Sequence, residues 1–125
     1  MIRGYELERE LKLCVGDDSA LDRLFAALKP THAGRMFDGL LEADVVCDFL
    51  LAAGRYHSRG HGPADALIAW FEAVAGAGSF RMVKALLAVE QRAKLSAALE
   101  RAVAAGADRA RADAAIALWN LSDAK

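Results

Sequence analysis

The chain has 125 residues, 55% of them hydrophobic, and a formal net charge of −1. That length suits one domain with a core of its own. So small a charge gives no global field for nucleic acid or anionic lipid, and no apolar run approaches the about 20 residues of a membrane span.

The opening, MIRGYELERE, is charged and lacks the apolar run of a signal peptide. Cys14 and Cys47 fall inside apolar helical patterns, as small core residues of a reduced compartment do. A cytoplasmic protein with free thiols is expected. A first helix beginning so near Met1 fits a domain cut from a longer protein.

Tyr5 to Val15 reads as a short helix with Tyr5, Leu7, Leu11 and Cys14 apolar. Acids lead and Lys12 follows, as the helix dipole favours. Gly16 ends it, and Asp17, Asp18 and Ser19 offer caps for a second helix, Ala20 to Lys29. Leu21, Leu24, Phe25 and Leu28 share one stripe there. Pro30 stops this helix. Thr31 to Phe37 makes at most a short helix anchored by Met36 and Phe37, and Gly39 breaks it.

Ala43 to Tyr56 is apolar nearly all round, which predicts an internal helix. The stretch GRYHSRGHG, Gly54 to Gly62, reads as a loop because three glycines alternate with polar residues. A helical hairpin follows. Pro63 suits a first helical position, and Ala64, Leu67, Ile68, Phe71, Val74 and Ala75 form one face. Gly76 and Gly78 predict a left-handed helix end.

The second arm starts near the N-cap residue Ser79. It carries two apolar stripes: Phe80, Val83 and Leu87 on one, Met82 and Leu86 on the other. A helix with two such stripes touches two things, its own core and something else. Glu90 to Ala105 is the next helix, with Ala93, Leu95, Leu99, Ala102 and Val103 inward and no capping residue at Ala88 or Val89. Gly106 and Asp108 then end one helix and cap another running to about Asn120, with Ala112, Ala115, Ile116 and Trp119 inward. No strand pattern, linker or repeat interrupts the chain. The expected fold is all-α: a compact bundle of about seven to eight short antiparallel helices in one domain, 1–125, with its core at about 5–120.

Three other chemistries have partial signatures in the chain. His57 and His61 stand four apart, a helical metal-ligand spacing, but they straddle Gly60 and no further ligand motif accompanies them. Arg55, His57, Arg59 and His61 surround Tyr56 as a phosphate or RNA contact would, but with a net charge of −1 the cluster reads as a solvated loop. For an enzyme, no nucleophile–base pair or phosphate-cradling loop emerges. No metal, cofactor or nucleic acid is therefore expected. Trp70 and Trp119 read as core or half-core. Met82 and Leu86 read either as core filling or as a surface for a partner.

Five blocks together resemble a known family. They are GYELEREL, LDRLFAALKPTHAGRMF, ADVVCDFLLAA, and the continuous GPADALIAWFEAVAGAG and SFRMVKALLAVEQRAKLSAALERA. In order and spacing they are similar to the C-terminal helical domain of RNA polymerase II-associated protein three. That domain is also found in a sperm-associated antigen and in a coiled-coil-domain dynein arm assembly factor. The resemblance implies a non-catalytic helical bundle that docks on hexameric Ruvb-like AAA+ ATPases and links them to Hsp90 co-chaperone components. It places the docking helix at Ser79 to Leu87, with Ser79, Met82 and Leu86 at the family's contact positions; beside them Arg81 or Lys84 is expected to pair with acids on the partner's rim. Met82 matches the family pattern and Leu86 is an apolar substitute for an aromatic residue. The family's arginine is missing at Ser79, and Arg81 lies about 200° round the helix from that position.

The expected function is a protein–protein adaptor in axonemal dynein arm preassembly, in the cytoplasm and also the cilium or flagellum. Dynein arm assembly factors are expected partners. The alternatives are a self-associating structural module, or a small metal-binding or enzymatic protein using the His57–His61 loop.

Overall fold

The computed structural model describes residues 4–32, 37, 42–78 and 80–121. Within them the chain is all-α. The helices are α1 (Gly4–Leu13), α2 (Asp18–Ala26), α3 (Ala43–Ser58), α4 (Ala66–Ala75), α5 (Phe80–Leu86), α6 (Val89–Ala104) and α7 (Arg109–Leu118), with a 3-10 turn at Pro30–His32. No single described helix is long and apolar enough to cross a membrane.

Helix α3 is the internal element. Val45, Val46, Cys47, Phe49, Leu50, Ala52 and Ala53 are all buried on it, so only Asp44, Asp48, Arg55 and the last residue, Ser58, reach solvent freely. Helices α1, α2, α4, α5 and α6 pack around it, and α7 closes the bundle against α4 and α6. Aromatic rings fill the centre: Phe49 meets Phe25, Phe37 and Trp70 at centroid distances of 5.2, 5.2 and 4.9 Å. Such offset and edge contacts are the favoured ring geometries. Trp70 and Trp119 are both sealed in the core. Cys14 and Cys47 are free and buried, and burial pushes the Cys47 thiol up to about 11.

The caps read from sequence are in place at two helices. Asp17 accepts from the Ala20 N–H at 3.0 Å, and Asp108 accepts from Ala110 and Arg111. Gly16 and Gly106 take positive φ angles of 74° and 113° at the chain reversals. At α6, whose start carries no capping side chain, Gln91 reaches back to accept from the Ala88 N–H at 2.8 Å. That is the half of a capping box still open when alanine holds the cap position.

Four expectations are corrected. The segment read as a loop from Gly54 is helical to Ser58, because α3 continues through Gly54 and stacks Tyr56 on Phe25 at 5.4 Å. Packing here overrides the weak helix propensity of glycine. Helix α4 starts at Ala66, not Pro63. The Asp65 carboxylate serves another element: it accepts from the Asp108 N–H at 2.8 Å and faces Arg111 at 3.5 Å. Neither Gly76 (φ −84°) nor Gly78 is left-handed; α4 ends in right-handed geometry. Ala93 is exposed, and Ala98 takes the inward place beside Leu95 and Leu99. Met36 and Gly39 lie outside the described residues.

Candidate protein-docking surface

Helix α5 is only seven residues long, too short to hold its shape without tertiary support. Phe80 (8% exposed), Val83 (1%) and Leu87 point into the core. The Phe80 ring meets Trp119 of the α7 end edge-on at 4.7 Å. From the other side, Arg92 of α6 donates to the Lys84 carbonyl at 3.3 Å. A bend of 107° separates α4 from α5, so the short helix stands across its predecessor instead of extending it.

Met82 (38% exposed) and Leu86 (63%) are left outside, one helical turn apart. Arg81 is exposed and makes no ion pair among the described residues. Lys84 is half-buried and already engaged. Its Nζ lies 5.4 Å from the Phe80 ring centroid and donates to the Leu118 carbonyl at 3.3 Å. That carbonyl belongs to the last turn of α7, the negative end of its dipole. Lys84 thus braces α5 to α7, and Arg81 is the cation available to a second molecule. Ser79 lies outside the described residues.

Val89 and Leu118 are also exposed apolar residues, and sequence reading had not singled them out. The signal was present for Val89. It stands six residues before Leu95, about 240° round α6 from that inward side chain.

The histidine pair is arranged for structure. His57 sits on the last turn of α3, and its Nδ1 donates to the His61 carbonyl at 2.8 Å. Its Nε2 is buried without a partner. Burial depresses the His57 pKa; the bond to His61 opposes this and the His61 charge adds to it. His61 instead stacks on Tyr56, with centroids 4.4 Å apart and planes 5° from parallel, and its Nε2 lies 3.6 Å from Asp22. Arg59 pairs with Asp22 and stands 3.6 Å from Asp18. The basic cluster is therefore largely answered by acids of α2. Among the described residues, no three His, Cys, Asp or Glu side chains are grouped to hold a metal ion.

No curated protein and no solved structure matches the chain. A family model described as the potential Monad-binding region of RPAP3 matches residues 3–92, which takes in α1 through α5 and the first turn of α6. This is the family the sequence blocks resemble. The match spans well over half of the residues, and the chain belongs to the family of RPAP3 C-terminal regions.

Proposed function

We propose that this domain is a non-enzymatic adaptor of a co-chaperone-type assembly factor, and that α5 is its docking element. The observation that carries the reading is the division of α5 itself: Phe80 and Val83 face the core while Met82 and Leu86 stay exposed beside an unpaired Arg81. Such a helix lays its outer side chains into an apolar groove, and Arg81 meets an acid on the rim. Burying Met82 and Leu86 contributes about 3–5 kcal/mol before ordering costs, which alone supports a contact no tighter than roughly millimolar, so Arg81 and the surface around α5 must supply the rest.

Two partner classes follow. The family description names Monad, and the resemblance implies the Ruvb-like AAA+ ATPases. The cellular setting that goes with them is cytoplasmic preassembly of axonemal dynein arms. The test uses the purified chain against purified Monad and, separately, purified Ruvb-like ATPase hexamers. Met82→Glu and Leu86→Glu should each weaken the contact at least about tenfold, because a charge is forced into an apolar groove. Binding that survives both substitutions overturns the role of α5. Failure of the unaltered chain to bind either protein overturns the partner assignment.

A further inference from the structure

A second concave surface shares no residue with α5. It is a groove of about 580 Å³ between the end of α1 and the outer side of α3. That volume lies within the roughly 300–1,000 Å³ range of sites that take up side chains or small ligands. Leu11, Val45 and Leu51 supply apolar surface within it. Val15, 78% exposed, lines it as well.

The charge around this surface is one-sided. Asp18, Glu42, Asp44 and Asp48 line it, against Lys12 and Arg55. Asp18 is answered by Arg59. Asp44 receives only a neutral amide, from Gln91 Nε2 at 2.6 Å, and so keeps its charge. Glu42 occupies the N-cap position of α3 without making a capping bond. Asp44 and Asp48 follow on the same face of α3, four residues apart and of like charge; Arg55 and Lys94 offset part of that repulsion at Asp48 without a direct ion pair to either acid among the described residues. The whole chain carries only −1, so this concentration is local.

We infer that the groove between α1 and α3 receives a basic amphipathic segment of a partner protein, its apolar side chains against Leu11, Val15 and Leu51 and its lysines or arginines against Glu42, Asp44 and Asp48. Apolar floor and acidic rim alternate across one surface, which is the complement of a helix with leucines on one face and cations flanking it. A nucleic acid would meet repulsion here. The inference stands independently of the α5 reading.

The probe is a synthetic amphipathic helix of about 15 residues, with leucines on one face and lysines beside them, and a second peptide with every lysine replaced by glutamate. Amide chemical shifts and fluorescence anisotropy report binding to the full chain. The lysine peptide should shift the amides of Val15, Gly16, Asp44 and Asp48, and the glutamate peptide should not. Glu42→Lys with Asp48→Lys should weaken the lysine peptide at least about tenfold. Val15→Ser, at an exposed position where folding is not at risk, should weaken it about two- to fivefold. Raising salt from about 50 to 300 mM should weaken it further. Met82→Glu should leave it unchanged. Shifts spread over other faces, equal binding of both peptides, or indifference to the substitutions overturns the inference. So does a concentration-dependent mass with these same amides shifted in the absence of peptide, which would assign the groove to a second copy of the chain.

Discussion

The indole Nε1–H of Trp119 donates to the carbonyl oxygen of Phe71 at 3.1 Å, with both side chains closed off from solvent. That carbonyl lies inside α4, so the bond fastens the C-terminal end of the bundle to its middle. The same indole meets the Phe71 and Phe80 rings edge-on at 5.6 and 4.7 Å. Trp119 lies beyond the residues matched by the family model, and it forms part of the floor under α5. The docking helix is therefore supported from outside the matched segment.

Trp119→Phe keeps most of the ring surface and removes the donor. The expected cost is about 1–3 kcal/mol, the range for a lost buried hydrogen bond with some lost packing. Trp119→Ala also opens a cavity beneath Phe80 and should cost about 3–5 kcal/mol. Urea unfolding followed by circular dichroism measures both. Faster amide exchange at Val83 to Leu86 in Trp119→Phe would show that the loss reaches α5. Unfolding midpoints equal to that of the unaltered chain would mean that Trp119 is not the fastening.

Neighbouring residues on α5 should behave in opposite ways. Val83 is sealed in the core and Met82 is not. Val83→Asp buries a carboxylate with no partner and should cost at least about 3 kcal/mol, enough to unfold a marginal domain. Met82→Asp places the same group in water and should change stability by about 0.5 kcal/mol or less. Thermal unfolding of the two variants side by side checks this. Comparable losses from both would place Met82 inside and remove the basis for docking through α5.

That contrast was legible in the sequence because it depends only on helical periodicity: Phe80, Val83 and Leu87 on one stripe, Met82 and Leu86 on another. The caps Asp17 and Asp108 and the glycines at 16 and 106 were legible for a similar reason, since each acts on residues within one turn of itself. What stayed hidden depends on partners far along the chain. Gly54 is helical because Tyr56 stacks on Phe25. Asp65 leaves the cap of its own helix because Asp108 and Arg111 lie opposite. Lys84 has the sequence signature of a surface cation, and only the meeting of α5 with the last turn of α7 shows that its ammonium is already held. The acidic groove was invisible for the same reason. Asp18 belongs to one helix and Glu42, Asp44 and Asp48 to the start of another, and folding alone brings them together.

The His57 side chain gives the fold a pH dependence whose sign can be worked out. In the folded chain its pKa lies below the ordinary value of 6.5, chiefly because burial disfavours the imidazolium. Between the two values the unfolded chain binds the proton and the folded chain does not. Stability from this group is thus complete above the unfolded value and is lost as pH falls through 6.5 toward the folded one. Burial and the nearby Asp44 raise the Asp48 pKa, which acts in the opposite direction, so the His57 contribution must be isolated by difference. Urea midpoints of the unaltered chain and of His57→Gln, taken from about pH 7.5 down to about 5.5, provide that difference. The unaltered chain should lose more stability over this interval, and the gap between the two curves should open below pH 6.5. Parallel curves would mean that the His57 ring accepts its proton as readily in the fold as in the open chain, and that the buried Nε2 is reached by water.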